Sequence, residues 1–374
     1  MAVSGELIHM ESKYLKRLKE KLKGKKICIY PMGVGGRSML DNLFSRGIKA
    51  DFFCDTNEKL WGSAYHGVEC ISLPELIQME QRDFVVIIES IYYEEIKAQL
   101  TQAGISNILR VYFEKIEIEE YIADHGQEAE EKIKRIIKLC ADERSKEIYR
   151  HIVSSWFMDE VPDSYFESIY SKEQYFDPEL IQLKNDEAFV DAGAYVGDTA
   201  EQFLKACNGN FEKAHLFELD PDIYKKLCQT IERLDADNTG KFQCYPYGIS
   251  DKNGQVAVAC GDRNSAILAA ESQDTEAHAT ALVRTLDEVL ANERITFIKM
   301  DIEGAELGAL KGAGTIIKNQ RPILAICMYH SAFDMLNIPL YIKELVPEYQ
   351  IYIRHYTNEM FETVCYAIPS ERLE

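Results

Sequence analysis

The sequence of 374 residues is short of positive charge, of tryptophan and of long apolar runs. Lys and Arg total 42 against 62 Asp and Glu, a formal net charge of −20. A field of that sign repels phosphate backbones and anionic headgroups, which argues against nucleic acid as a partner and for a neutral or small molecule. No stretch approaches the ~20 apolar residues of a membrane-spanning helix; Phe84–Ile88 and Ile323–Met328 have the length of strands. Residues 1–10 lack the apolar core of a secretion signal. The Lys-rich run 13–26 reads as a solvated amphipathic helix with Tyr14, Leu15, Leu18 and Leu22 on its buried face, rather than as a membrane-surface anchor. The ten cysteines form no CxxC pair, and Cys28, Cys54 and Cys327 sit inside strand-like runs. That pattern excludes a disulfide framework and a cysteine zinc site, and the expected location is the cytoplasm. There is no repeat of solenoid length and no low-complexity linker.

What is present is a balance of 46% hydrophobic and 28% charged residues, as in globular proteins, over a length that suggests two or three domains. Strand–helix alternation occurs twice. The first runs over 1–113, with strands expected at Ile27–Tyr30, Ala50–Asp55, Phe84–Ile88 and Ile108–Val111. Residues 114–187 read as a helical connector. The second alternation fills 188–374 and ends in two extended runs, Tyr349–Tyr356 and Glu362–Ile368. The fold class is therefore α/β, with two doubly wound Rossmann-like domains.

Three features of the second alternation carry chemistry. Phe189-Val190-Asp191-Ala192-Gly193-Ala194-Tyr195-Val196-Gly197-Asp198-Thr199 is an apolar strand ending in an acid, then a glycine-rich turn that opens a helix and lets a ligand approach the backbone. Such turns also arise for packing alone. Leu216-Phe217-Glu218-Leu219-Asp220-Pro221 ends the next strand in acids, beside the crevice of a doubly wound sheet, where a carboxylate can accept hydrogen bonds from ribose hydroxyls. Nicotinamide enzymes share this arrangement, so the pair specifies a ribose and not the cofactor. The third feature is Phe297-Ile298-Lys299-Met300-Asp301-Ile302-Glu303-Gly304-Ala305-Glu306, three carboxylates and a lysine where a strand meets a helix. Helix capping accounts for one of those acids and leaves the rest.

These residues resemble the FkbM family of S-adenosylmethionine-dependent methyltransferases from Phe189 to Pro369. The likeness rests on the three runs above, on Gly248-Ile249-Ser250-Asp251 and Arg284-Thr285-Leu286-Asp287, and above all on the ordered run from Ile298 to Ala313. The resemblance implies the seven-stranded class I methyltransferase sheet with a terminal antiparallel hairpin. It implies S-adenosylmethionine held by Asp191, Gly193, Tyr195, Gly197, Asp198 and Thr199 at the turn, by Glu218 and Asp220 at the ribose, by Ser250 and Asp251 beside adenine, and by Asp301 near the sulfonium. It also implies transfer to a hydroxyl, with a saccharide or glycan precursor as acceptor and the reaction in polysaccharide biosynthesis. Catalytic candidates are Asp301, His330 and Lys299. Asp301 or His330 would take the hydroxyl proton, His330 because an unperturbed imidazole titrates near neutrality. Asp301, Glu303 and Glu306 offer hard oxygen ligands for Mg²⁺ as an alternative, but no metal is assigned. Tyr175, Arg263, Ser265, Tyr329, Arg354 and His355 are expected to line the acceptor pocket. Self-association is left open.

The first alternation contains Gly33-x-Gly35-Gly36 after a strand, Ser38 where a third glycine of a dinucleotide fingerprint would stand, and Asp55 ending the next strand. With Asp55-Thr56-Asn57, Gly67-Val68 and Leu73-Pro74-Glu75-Leu76 it is similar to the Rossmann-like domains of bacterial sugar-modifying enzymes, including the nucleotide-sugar acyltransferase type. The alternative function is therefore a nucleotide- or NAD(P)-binding sugar enzyme or a ligand-sensing module. A scaffold without chemistry is disfavoured by the survival of Gly193, Gly197, Glu218 and Asp301.

Overall fold

The computed structural model describes residues 12–79, 84–90, 92–158, 161–162, 164–236, 239–259, 266–267 and 279–373. The chain divides into two compact units, Met1–Ala123 and Asp124–Glu374.

The first unit holds a six-stranded sheet of β1 (Lys26–Tyr30), β2 (Phe52–Asp55), β3 (Ala64–Tyr65), β4 (Val68–Ser72), β5 (Phe84–Ile88) and β6 (Ile108–Leu109), in the order β3-β4-β2-β1-β5-β6. All pairings are parallel except β3 with β4. Successive strand residues alternate between two cores. Ile27, Ile29, Phe53, Val85 and Ile87 pack on one side with Leu15, Leu18 and Leu22 of the helix Lys13–Leu22. Cys28, Tyr30, Phe52, Cys54, Val86 and Ile88 pack on the other. Burial on both faces is why these strands read as continuous apolar runs. The edge strand β3 and its neighbour β4 were not expected, being short and polar.

The second unit begins with helical segments. The helix Phe113–Leu139, whose first residues belong to the first unit, bends at His125, where the backbone is non-helical, and a second helix runs over Glu143–Trp156. Among the described residues of the stretch that follows, to 187, the one helical element is the turn Glu167–Ile169, so the described helices lie mainly in the first part of 114–187. Cys140 and Tyr170 form isolated bridges to Ile351 and His355.

The larger sheet of this unit comprises β7 (Ala188–Ala192), β8 (Lys213–Phe217), β9 (Phe242–Tyr245), β14 (Phe297–Met300), β15 (Ile323–Cys327), β16 (Gln350–His355) and β17 (Thr363–Ile368). Their order is β16-β17-β15-β14-β7-β8-β9. Only β17 runs antiparallel to its neighbours. This is the expected seven-stranded methyltransferase sheet, with the second arm of the terminal hairpin inserted between β15 and β16. A smaller sheet, β10 (Gly248–Ile249), β11 (Gly254–Ala259), β12 (Ala266–Ile267) and β13 (Ala279–Arg284), has the order β10-β13-β11-β12. One face of the large sheet is packed by aromatic rings; Phe189 stacks on Phe203 at 4.5 Å and meets Phe297 edge-on at 5.4 Å. Each such ring contributes on the order of 1.5–3 kcal/mol by leaving water.

Because β7, β8, β14 and β15 are parallel, their C-terminal ends share one edge of the sheet. The antiparallel register of β17, with Val364 opposite Cys327, puts the start of that strand on the same edge. The nine described cysteines are all free. Among the described residues no helix is long and apolar enough to cross a membrane.

Candidate active site

The glycine-rich turn is built by its contacts with two neighbouring strands. The N–H groups of Gly193 and Ala194 both donate to the Phe217 carbonyl at the tip of β8, at 3.1 and 2.9 Å. Gly193 has φ +80°, and a β-carbon there would lie 1.9 Å from the Asp301 carbonyl oxygen, so only glycine fits. Gly197, also left-handed, is the N-cap of the helix Asp198–Ala206 and leaves its first amides without a side-chain cap. Asp198 is exposed in that first turn, Thr199 is buried, and Tyr195 is exposed with φ +47°.

Glu218, buried at the end of β8, faces this turn. One carboxylate oxygen accepts from the Tyr195 N–H at 3.0 Å and the other from the Asp220 N–H at 2.8 Å. Burial pushes its carboxyl up to about 6, against the pull of those amide donors. Each oxygen keeps a second lone pair, which is what a vicinal diol needs. Asp220 instead caps the helix Pro221–Leu234 by accepting from Asp222 and Ile223 amides at 2.8 and 3.0 Å, so it is not a free ligand group. Ser250 and Asp251 form a turn packed against the helix Glu306–Gly312; a β-carbon on Gly312 would lie 2.0 Å from the Ser250 carbonyl oxygen.

Two expected roles are corrected. Asp191 and Lys299 lie opposite each other in the β7–β14 register and point to the same packed face. The Lys299 ammonium sits 2.9 Å from Asp191 Oδ1, donates to the Gly193 carbonyl at 2.8 Å, and lies 5.2 Å from the centre of the Tyr175 ring. Their side chains are 3% and 0% exposed, so the pair lies behind the turn and fixes it to β14 instead of lining the rim. Burial disfavours charge on Lys299, but Asp191 and Asp301 outweigh it and hold the ammonium above its ordinary value.

The rest of the sheet edge carries a carboxylate-rich cluster. Asp301, just after β14, accepts from the Tyr175 hydroxyl at 2.9 Å and from the Tyr329 hydroxyl at 3.3 Å. Burial would raise its carboxyl, but Lys299, His330 and the Tyr175 hydrogen bond bring it below its usual range. Burial pushes Glu303 and Glu362 up. His330 lies among the acids: Nε2 is 3.5 Å from Asp301 and 3.6 Å from Glu303, and Nδ1 is 3.1 Å from Glu306. Burial opposes a charge on this imidazole, yet Glu306, Asp301 and Glu303 raise it to about 9. The unperturbed imidazole expected from the sequence is therefore not what the fold provides. Tyr175, Tyr195, Glu303 and Glu362 all have left-handed backbones without being glycine, strain of the kind found where a site holds side chains in place.

Glu362 and Gln174 were missed by sequence reasoning. Glu362 accepts from Tyr329 at 3.3 Å and from Gln174 at 2.5 Å. The signal for Glu362 was an acid immediately before an antiparallel strand, which that topology returns to the active edge. Arg354 and His355 are not pocket residues. Arg354 is buried and donates to Asp142 at 2.8 Å and Ser145 at 3.0 Å, joining β16 to the helix Glu143–Trp156. His355 is fully buried against Thr363, with burial holding its imidazole down at about 4. Arg263 and Ser265 lie outside the described residues.

The first unit repeats the acid-tip arrangement in miniature. Asp55, ending β2, accepts from the Met32 amide after β1 at 3.0 Å and from Asn57 two residues on at 2.8 Å. Its Gly36 is required by contact, since a β-carbon would lie 1.9 Å from the Pro31 carbonyl oxygen.

Residues 191–357 match the family model of the methyltransferase FkbM domain, and residues 23–111 match that of the C2185-like N-terminal domain. The chain is similar in fold to a methyltransferase FkbM from Methylobacillus flagellatus KT. That likeness has 22% identity and a TM-score of 0.68, and covers 94% of this chain and 92% of that one. Weaker likenesses include an rRNA methylase from Streptococcus thermophilus (15% identity, 51% and 90% covered, TM-score 0.32). Another is TrmK of M. capricolum in complex with S-adenosylhomocysteine (14% identity, 55% and 70% covered, TM-score 0.33). No curated protein sequence matches the chain. Sheet order, glycine-rich turn and acid tip agree with that match: residues 191–357 carry a methyltransferase FkbM domain.

Proposed function

We propose that the chain is an S-adenosylmethionine-dependent O-methyltransferase acting on a hydroxyl of a saccharide or glycan precursor. The observation that carries the donor assignment is Glu218, a buried carboxylate fastened by two amides with two lone pairs to spare, facing a turn whose glycines leave the backbone open. The residues fit the donor: Glu218 suits its ribose diol, the turn and the uncapped start of the helix Asp198–Ala206 suit its amino-acid part, and Ser250 and Asp251 are assigned to adenine. When bound, this donor supplies a methyl carbon on a positively charged sulfur, and the protein has only to align an oxygen with it and receive a proton.

Asp301 is the group we assign to the acceptor hydroxyl. It stands beside the turn, since Gly193 packs on its carbonyl, and its side chain is 24% exposed against 10% for His330. Tyr175 and Tyr329 hold both carboxylate oxygens in place, so Asp301 is pre-oriented before an acceptor arrives. The acidic rim favours a neutral group at the point of transfer over an anionic one, which agrees with a sugar hydroxyl. The expected location is the cytoplasm.

The test is incubation with methyl-labelled S-adenosylmethionine and a panel of nucleotide sugars and glycans, followed by location of the label. Label on a sugar oxygen supports the reading; label on nitrogen, carbon or a non-saccharide small molecule replaces the acceptor assignment. A second reading is favoured by one observation, the duplicate acid tip at Asp55: the first unit binds a nucleotide of its own. Calorimetric titration of Asp55→Ala with UDP-sugars and NAD(P) tests it, an unchanged heat relative to the parent removing it.

A further inference from the structure

Resting on the reading of this rim as the acceptor's place, we propose that His330, Asp301 and Glu303 bind one divalent first-row cation of the Mn²⁺ kind, with Glu306 orienting the imidazole.

The donors are already gathered. Asp301, Glu306 and His330 each bring a ligand atom within 4.8 Å of the others. Nε2 of His330 faces Asp301 Oδ1 at 3.5 Å and Glu303 Oε2 at 3.6 Å. Neighbouring donors around a six-coordinate ion with ~2.0–2.1 Å bonds stand about 3 Å apart, so a contraction of about half an ångström brings each of these two carboxylates to that spacing from Nε2. The independent observation is the imidazole itself. Its side chain is 10% exposed, both ring nitrogens are buried, and Nε2 makes no hydrogen bond. Nδ1 points at Glu306, which is 0% exposed and whose Oε1 is anchored by the Ile302 amide at 2.8 Å. Nε2 is left facing two carboxylates. An imidazole backed by a buried carboxylate, with its other nitrogen free toward further acids, is how metal-binding histidines are oriented. Asp301 is held in the same manner by the Tyr175 and Tyr329 hydroxyls.

The mixed donor set indicates the ion. One imidazole nitrogen and two carboxylates lack the thiolates that select soft metals, and suit Mn²⁺ better than the all-oxygen shell of Mg²⁺. Asp301 and Glu303 are 24% and 31% exposed, so the ion would keep open positions on the rim side, where an acceptor oxygen can bind.

The test uses the full chain, stripped with chelator and titrated with Mn²⁺ while the signal of the free ion is followed by electron paramagnetic resonance, without methyl donor. The expected result is one bound Mn²⁺ per chain. Glu306→Gln should weaken it by roughly 10–100-fold and His330→Ala more than that. If His330→Ala loses the parental near-ultraviolet circular dichroism, His330→Gln and Glu306→Gln carry the comparison. No loss of free signal in the parent, or equal affinity in parent and His330 variants, overturns the metal site. S-adenosylmethionine binding measured calorimetrically on the same samples keeps the two readings apart. Donor binding without Mn²⁺ binding overturns the metal site alone, and Mn²⁺ binding without donor binding overturns the methyltransferase reading on which it rests.

Discussion

Gly193 and Asp301 are in backbone contact: a single β-carbon on Gly193 would lie 1.9 Å from the Asp301 carbonyl oxygen. The turn on the donor side and the carboxylate on the acceptor side are therefore fixed to each other. Gly193→Ala faces both that clash and a left-handed φ of +80°. It should destabilise the second unit by roughly 2–4 kcal/mol and lower donor affinity along with it. Urea unfolding of the parent and variant checks this; a change within error would mean the turn and the strand can separate freely.

The Lys299–Asp191 pair makes a second prediction. Lys299→Met leaves Asp191 buried without its cation and should cost about 3–5 kcal/mol, whereas Lys299→Met combined with Asp191→Leu should recover much of that loss. A double-mutant cycle by chemical denaturation measures the coupling. Additive effects would show that the two side chains do not depend on each other.

Glu218 gives a pH prediction. With its carboxyl pushed up to about 6, it is largely neutral at pH 5 and ionised at pH 7. The ionised form is the better double acceptor, so donor affinity should rise between pH 5 and pH 7 and level off above. Charged hydrogen bonds of about 1.5–3 kcal/mol translate into a change of about tenfold or more. Glu218→Gln should flatten that profile. A parental affinity independent of pH across this range would remove Glu218 from the ribose.

His215 and His355 are fully buried, and burial lowers both imidazoles from 6.5 to about 4. The unfolded chain binds their protons below pH 6.5 and the folded chain only near pH 4, so folding stability should fall as pH drops through that window. Urea midpoints at pH 7 and pH 4.5 report the loss. His215→Gln and His355→Gln should each reduce the difference between the two pH values, and an undiminished difference would place the acid sensitivity elsewhere.

Much of this was legible in the sequence where the determinants are contiguous. A buried parallel strand, its glycine-rich turn and the acid at the next tip each occupy a single short run, so Gly193, Glu218 and Asp301 could be placed before any fold was known. Side chains whose role depends on a distant partner could not. Lys299 looked like a rim group because its local neighbours are acids, and only the β7–β14 register reveals Asp191 across from it. Arg354 looked exposed at a strand end, yet Asp142 and Ser145 enclose it. The titration of His330 was beyond local reading because three carboxylates from one turn and helix converge on it from another strand.

The central claim is that the second unit holds a sulfonium methyl donor by its ribose at Glu218. Isothermal titration of the full chain with S-adenosylmethionine tests it most directly. One site per chain that disappears in a folded Glu218→Ala variant is the predicted result, and absence of heat in the parent, or equal binding by the variant, contradicts it.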